Sequence, residues 1–126
     1  MNKLFYIILF VTLNLELCSL NCFAQLVSLD PTFGTGGQVI THVANEDEAT
    51  CITVQPDGKI LVVGNYKIGV DQDIVLIRYN TDGTLDNSFD FDGKALAPFE
   101  GNQFAESVFV QPDQKIIVGG YVTVGT

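Results

Sequence analysis

Tryptophan is absent from this 126-residue chain, which has one methionine, one histidine and only six basic side chains against fifteen acidic ones. The formal charge of −9 repels phosphate backbones and argues against nucleic acid as a partner. Beyond the first two dozen residues, no segment carries convincing helical periodicity. Cysteine is scarce as well, with three in all, and Cys18 and Cys22 sit in the N-terminal segment. What is plentiful points elsewhere. Apolar residues make up 47% and charged residues 17%, a mix that builds a packed core rather than a disordered chain. Twelve glycines and many Val and Ile lean towards β structure, and the length allows one domain at most.

The N-terminus reads as an address. Met1-Asn2-Lys3 is a short basic start, and Leu4 to Leu13 is apolar at every position except Thr12. A mixed stretch follows and ends at Ala24, the order expected of a secretory signal peptide spanning residues 1–24. Cleavage after Ala24 places Cys22 and Ala24 at the two small-residue positions, and Gln25 begins the mature chain. An uncleaved anchor needs roughly 20 mostly apolar residues. Asn14, Glu16 and Asn21 interrupt that run, so no membrane span is expected after cleavage. A lipoprotein signal wants a small residue before its cysteine, where Leu17 and Asn21 stand. After cleavage Cys51 is the only cysteine, so no internal disulfide forms. Its neighbours Ala49, Thr50, Ile52 and Thr53 offer no base or cation, and Cys51 reads as a small hydrophobe in a strand.

Residues 25–126 are a repeat. Val54-Gln55-Pro56-Asp57-Gly58-Lys59-Ile60 recurs as Val110-Gln111-Pro112-Asp113-Gln114-Lys115-Ile116, 56 positions later. The same offset carries Leu29-Asp30-Pro31-Thr32-Phe33 onto Leu85-Asp86-Asn87-Ser88-Phe89, and Gly37, Ala49 and Gly64 onto Gly93, Ala105 and Gly120. Several blocks in one register, without a gap, define a true repeat.

Gln55 to Lys59 reads as a tight turn closing a β-hairpin, with Pro56 pre-setting φ and Asp57-Gly58 accepting turn conformations. Gln114 replaces Gly58 in the second copy, so a positive φ there implies strain or another turn type. Strands are expected near 38–43, 49–55, 59–65 and 73–79, then 94–99, 105–110 and 115–122. The run Asp73 to Tyr79 is apolar on both faces through its middle, as suits a strand packed between two sheets.

Four strands in 56 residues is the size of a β-propeller blade. The fold class expected is all-β, with antiparallel propeller-type blades and about two blades in this chain. Repeat one spans 29–84. Repeat two spans 85–126 and is incomplete, without counterparts of Asp71 to Thr84. Repeat stacks need about three units to bury their faces, so residues 25–126 alone are expected to associate or pack loosely.

These residues resemble the delta-60 repeat family of bacterial exported proteins. The resemblance rests on Leu29 to Gly37, Gln55 to Ile60, Gly64, and Arg78 to Gly83, and on a second copy of the first two elements, which departs at Asp90 and Gln114. It implies β-propeller character, a multi-repeat surface or secreted protein, and no catalytic residue that could be carried over.

Other residues invite chemistry. Asp86, Asp90 and Asp92 beside Gly93 suggest a hard cation, yet the EF-hand spacing fails, with Ser88 and Phe99 in ligand places. Acidic turn residues are the favoured reading. Glu46-Asp47-Glu48 reads as a solvated loop tip between strands. His42 falls on Pro98 in the second copy, so it is not built into the repeat and a nucleophilic triad is not expected. Arg78 is expected to pair with a turn aspartate, and Phe33 and Phe89 to anchor the core between blades.

The expected function is a non-catalytic repeat module of an exported or cell-surface protein, acting as a scaffold or binding a glycan or another surface protein. Further repeats are its natural partners, and no cofactor or metal is expected. A propeller hydrolase or lyase, and a calcium-stabilised structural repeat, remain the alternatives.

Overall fold

The computed structural model describes residues 28–123, so the expected signal segment and its cleavage point lie outside the described residues. Within them every regular element is a strand: β1 (Glu46–Val54), β2 (Ile60–Ile68), β3 (Asp71–Tyr79), β4 (Lys94–Ala97), β5 (Asn102–Val110) and β6 (Ile116–Thr123). The first four form an antiparallel sheet in the order β1-β2-β3-β4, and β5 and β6 form an antiparallel hairpin. No helix among the described residues is long and apolar enough to cross a membrane.

The two Gln-Pro-Asp turns are the same object. In the first, the Gly58 amide donates to the Gln55 carbonyl and the Gln55 amide to the Lys59 carbonyl, at 2.9 and 2.8 Å. In the second, Gln114 and Gln111 make the corresponding bonds, both at 2.8 Å. Gly58 has φ +85° and Gln114 has φ +71°. The second copy therefore keeps the left-handed position and accepts its strain rather than changing turn type.

Both hairpins also carry a β-bulge at one position, between Ala49 and Cys51 and between Ala105 and Ser107. The bulge brings the opposing strand close, which explains two recurring glycines. A Cβ on Gly64 would run into the Glu48 carbonyl, and one on Gly120 into the Phe104 carbonyl. Neither glycine is there for its φ.

Side chains alternate across each strand, so the four-stranded sheet has two distinct faces. Its leading face carries Ile52, Ile60, Val62, Val75, Ile77 and Tyr79; its trailing face carries Cys51, Val63, Asn65, Ile74 and Leu76. Each face has its own core. Tyr66, Val75, Ile77 and Tyr79 form one buried cluster, covered in part by Val39, Val43 and Ala44. Val63 joins Ala105 and Val108 of the second sheet in the other, with Cys51, Ile74, Leu76, Ile116 and Val118 around them. The hairpin β5–β6 thus stacks on the trailing face. As expected for a strand apolar on both sides, β3 contributes to both clusters.

Two expectations fail. Residues 38–43 do not form a strand; only Gln38 makes isolated bridges, to Gly34 and Thr35. Their counterparts, β4, pair with β3 at Ile74 to Ile77. By the same offset, residues 38–41 would need residues 18–21 as partner, which lie outside the described residues. They instead cross the leading face as a strap. Thr41 Oγ1 accepts the Tyr79 hydroxyl at 2.8 Å, and Asp47 accepts the Val43 and Ala44 amides at 3.0 and 2.8 Å. The four-stranded blade therefore straddles the sequence repeat, taking β4 from the second copy. The second failure is Glu46-Asp47-Glu48, which is exposed as expected but opens β1 rather than capping a loop. The expected loop lies just before it, where the Asp47 carboxylate holds the bend at residues 43–45.

Candidate functional site

Six turn aspartates, among them the recurring pairs Asp30/Asp86 and Asp57/Asp113, share one local geometry. Asp30, Asp57, Asp82, Asp86, Asp92 and Asp113 each accept the backbone amide two residues on through Oδ1. Such a side chain closes a turn by supplying the acceptor that the backbone lacks there. Where Thr or Ser stands at that position, as at Thr32, Thr84 and Ser88, its hydroxyl bonds the same oxygen at 2.6 to 2.7 Å. The hydroxyl, and then the amide, hold the Asp30 and Asp82 carboxyls below their ordinary value. Lys115 does the same for Asp113, its ammonium first.

Asp86 goes further and draws three separated motifs together. Its Oδ2 accepts Lys59 Nζ at 2.8 Å, from the end of the first hairpin turn. It also accepts Arg78 Nε at 2.6 Å, from β3. Its Oδ1 holds the Ser88 amide and hydroxyl at 3.1 and 2.7 Å. The Arg78 guanidinium lies over the Phe89 ring, 4.5 Å from its centre. The Asp86 side chain is only 7% exposed. Lys59 first, then Ser88 and Arg78, hold its carboxyl far below the usual range.

A carboxylate has about four acceptor sites, and here four donors fill them. An acid so saturated is a weak base and a poor nucleophile, and its chemistry is to clamp. The expected pairing of Arg78 with a turn aspartate is realised at Asp86. Lys59 was not foreseen in this role. Its recurrence at Lys115, immediately after the same turn, was the available signal. Lys115 pairs with Asp113 of its own turn, at 2.8 Å.

The remaining candidates do not converge. Asp92 is engaged by the Lys94 amide and Asp86 by its clamp. Among the described residues no group of three or more His, Cys, Asp or Glu is placed to hold a metal. His42 is 83% exposed, with its nearest acid, Asp47, 3.8 Å away, while its carbonyl accepts Lys94 Nζ. Cys51 is half-buried against Val63 and Val108, as a small hydrophobe should be. Phe33 and Phe89 are half-buried and outside both buried clusters. Phe89 serves Arg78 rather than anchoring the core between blades, and Phe33 packs beside Gly83.

On the leading face, between the strap and β1, lies an open, mainly apolar groove of about 520 Å³. Phe33, Val39, Ile52, Ile60 and Val62 line it.

Residues 55–89 match the family model described as a domain of unknown function (DUF5122) beta-propeller. That span begins at the first hairpin turn and ends at Phe89, so it encloses the whole Lys59–Arg78–Asp86–Phe89 clamp. Fold and match agree on a β-propeller repeat. No curated protein and no solved structure matches the chain.

Proposed function

We propose that this chain is a non-catalytic propeller module of the delta-60 type, exported by a bacterium and serving as a scaffold for other surface proteins. The observation that carries the non-catalytic reading is the use made of its acids. The aspartates that recur with the repeat are committed to turns, and the most buried of them is saturated by two cations, a hydroxyl and an amide. Export is supported by the basic start, the apolar run and Ala24. A protein-binding role is favoured over a glycan-binding one because the open groove is apolar. Glycan sites usually need hydrogen-bonding side chains in convergent positions.

Fractionation of the producing bacterium, followed by intact-mass measurement, tests this reading. The protein is expected outside the cytoplasm as a chain beginning at Gln25. A cytoplasmic chain that keeps Leu4 to Leu13 overturns it.

A further inference from the structure

The loops at residues 33–37 and 89–93 hold repeat-related positions and share a frame. Each opens with the phenylalanine amide donating to the carbonyl of the aspartate three residues earlier, at 3.1 Å for Phe33 and 2.9 Å for Phe89. Each closes with a glycine amide donating back to the phenylalanine carbonyl, at 2.9 Å for Gly37 and 2.7 Å for Gly93. Their tips differ, since Gly34-Thr35-Gly36 becomes Asp90-Phe91-Asp92. In the first loop the left-handed positions of the tip fall on glycines, Gly34 at φ +55° and Gly36 at φ +61°. In the second they fall on Asp90 at φ +45° and Phe91 at φ +69°. Left-handed backbone is disfavoured for any L-residue and is an outlier for a bulky one.

The strained position holds the most exposed large apolar side chain among the described residues, because Phe91 is 95% exposed. A single exposed apolar residue is ordinary. Here, however, the ring gains no packing in return for the strain, and strain of this kind persists where it is part of a function. The exposure belongs to the position itself. In the first copy the following turn is in place, with the Gly34 amide on the Asp82 carbonyl at 2.8 Å, and Thr35 and Gly36 are exposed all the same. Below the tip the loop is pinned, since Phe89 lies against Arg78 and Asp86 holds Arg78. A ring presented on such a base loses little freedom on binding.

Asp90 and Asp92 flank the ring, both exposed, and among the described residues neither pairs with a cation. Both ring faces are open, so Phe91 is a knob rather than a platform for stacking. Its acidic collar repels an anionic lipid surface. We propose that Phe91 anchors a protein–protein contact by entering an apolar pocket whose rim carries Lys or Arg opposite Asp90 and Asp92. The partner is a different protein, because the cations of this chain's described residues are engaged within it. Lys59 and Arg78 bond Asp86, Lys67 pairs with Glu46, Lys115 with Asp113, and Lys94 donates to the His42 carbonyl. None of the tip residues lines the groove on the leading face, and the contact does not depend on export.

Photo-crosslinking of the full chain in the producing bacterium tests this, with Phe91→benzoylphenylalanine and, for comparison, Val70→benzoylphenylalanine at another exposed apolar site. Position 91 is expected to give one protein adduct that position 70 does not. Mass spectrometry should map it to an apolar segment bordered by Lys or Arg. The partner identified in this way, once purified, should bind the full chain with a Kd that salt raises and that Phe91→Gly raises about thirtyfold. The same substitution should hold or raise the melting temperature, because glycine takes a left-handed φ without strain. No adduct, an adduct to lipid or polysaccharide alone, or a contact segment without cations overturns the proposal. So does an affinity that Phe91→Gly leaves unchanged. A melting temperature lowered by Phe91→Gly overturns it too, since the ring would then serve the fold.

Discussion

Arg78 on β3 and Asp86 in the following turn meet at 2.6 Å, and Lys59 reaches the same carboxylate oxygen at 2.8 Å from the hairpin turn. The Asp86 amide also donates to the Arg78 carbonyl at 2.9 Å. Side chain and backbone thus tie the loop to the strand twice, while the lysine brings in the tip of the neighbouring hairpin. Two cations around one buried acid leave either partner exposed to a large loss if the acid is removed.

Asp86→Asn is expected to lower the melting temperature more than Asp82→Asn, although both close a turn with a hydroxyl. Asp82 serves its own turn side chain to backbone, whereas Asp86 also neutralises Lys59 and Arg78. Thermal unfolding of the two variants side by side measures the difference. Equal shifts would mean that the two cations contribute nothing.

The acid limb of stability should carry the same signature. A carboxyl held below its unfolded value contributes stability that is present above the ordinary value of about 4 and lost as pH falls through the folded one. Asp30, Asp82, Asp86 and Asp113 all shift in that direction. Urea midpoints are expected to be flat around neutrality and to fall steadily below about pH 4. Asp86→Asn should flatten part of that fall.

Gln114→Gly is expected to stabilise by about 1 kcal/mol, because a left-handed φ costs an L-residue roughly 1–2 kcal/mol and glycine's extra chain entropy offsets part of the gain. Gly58→Ala should destabilise, since it adds the same φ penalty and places a methyl 2.9 Å from the Thr81 methyl group. Chemical denaturation of both variants checks the opposite signs.

Gly64→Ala and Gly120→Ala should each cost about 1–3 kcal/mol, the usual range for forced overpacking. Here the obstruction is a backbone carbonyl that cannot rotate away. The effect at Gly64 should be the larger, because β2 lies between β1 and β3 in the first sheet, whereas among the described residues β6 pairs with β5 alone.

Asn65→Ala should cost about 1–3 kcal/mol by leaving a buried donor unpaired. Asn65 is buried on the trailing face, and its Oδ1 accepts the Ala105 amide at 2.8 Å across the sheet-to-sheet boundary. Loss of β5–β6 protection in hydrogen exchange, with β2 and β3 unchanged, is the expected pattern.

Much of this architecture was legible in the residues because turns are local. Pro56-Asp57-Gly58 and Pro112-Asp113-Gln114 carry their geometry in their own side chains, and one fixed offset made each copy a check on the other. The two-sided apolar pattern of Ile74 to Ile77 placed β3 between two cores. Residues 38–43 misled because a strand needs an edge to pair with, and composition cannot say whether that edge is present. The ends of β2 and β3 were read short, at residues 65 and 73. Gly69-Val70 makes a tight turn that lets both strands run on through polar positions such as Lys67 and Gln72. The recurrence of Lys59 marks it as a repeat residue but does not name Asp86 as its partner, nor does the sequence name Ala105 for Asn65, since the bonds join residues 27 and 40 positions apart. Only the stacking of elements brings them together.

Hydrogen exchange at the Ala105 amide tests the stacking of the two repeat-related sheets most directly. That amide donates to Asn65 of the first sheet, so its protection reports the docking of β5–β6 on the trailing face. The expected result is exchange as slow as that of the central β2 and β3 amides in the wild-type chain, made fast by Asn65→Ala. Fast exchange at Ala105 in a wild-type chain whose β2 and β3 are protected would contradict the face-to-face stack.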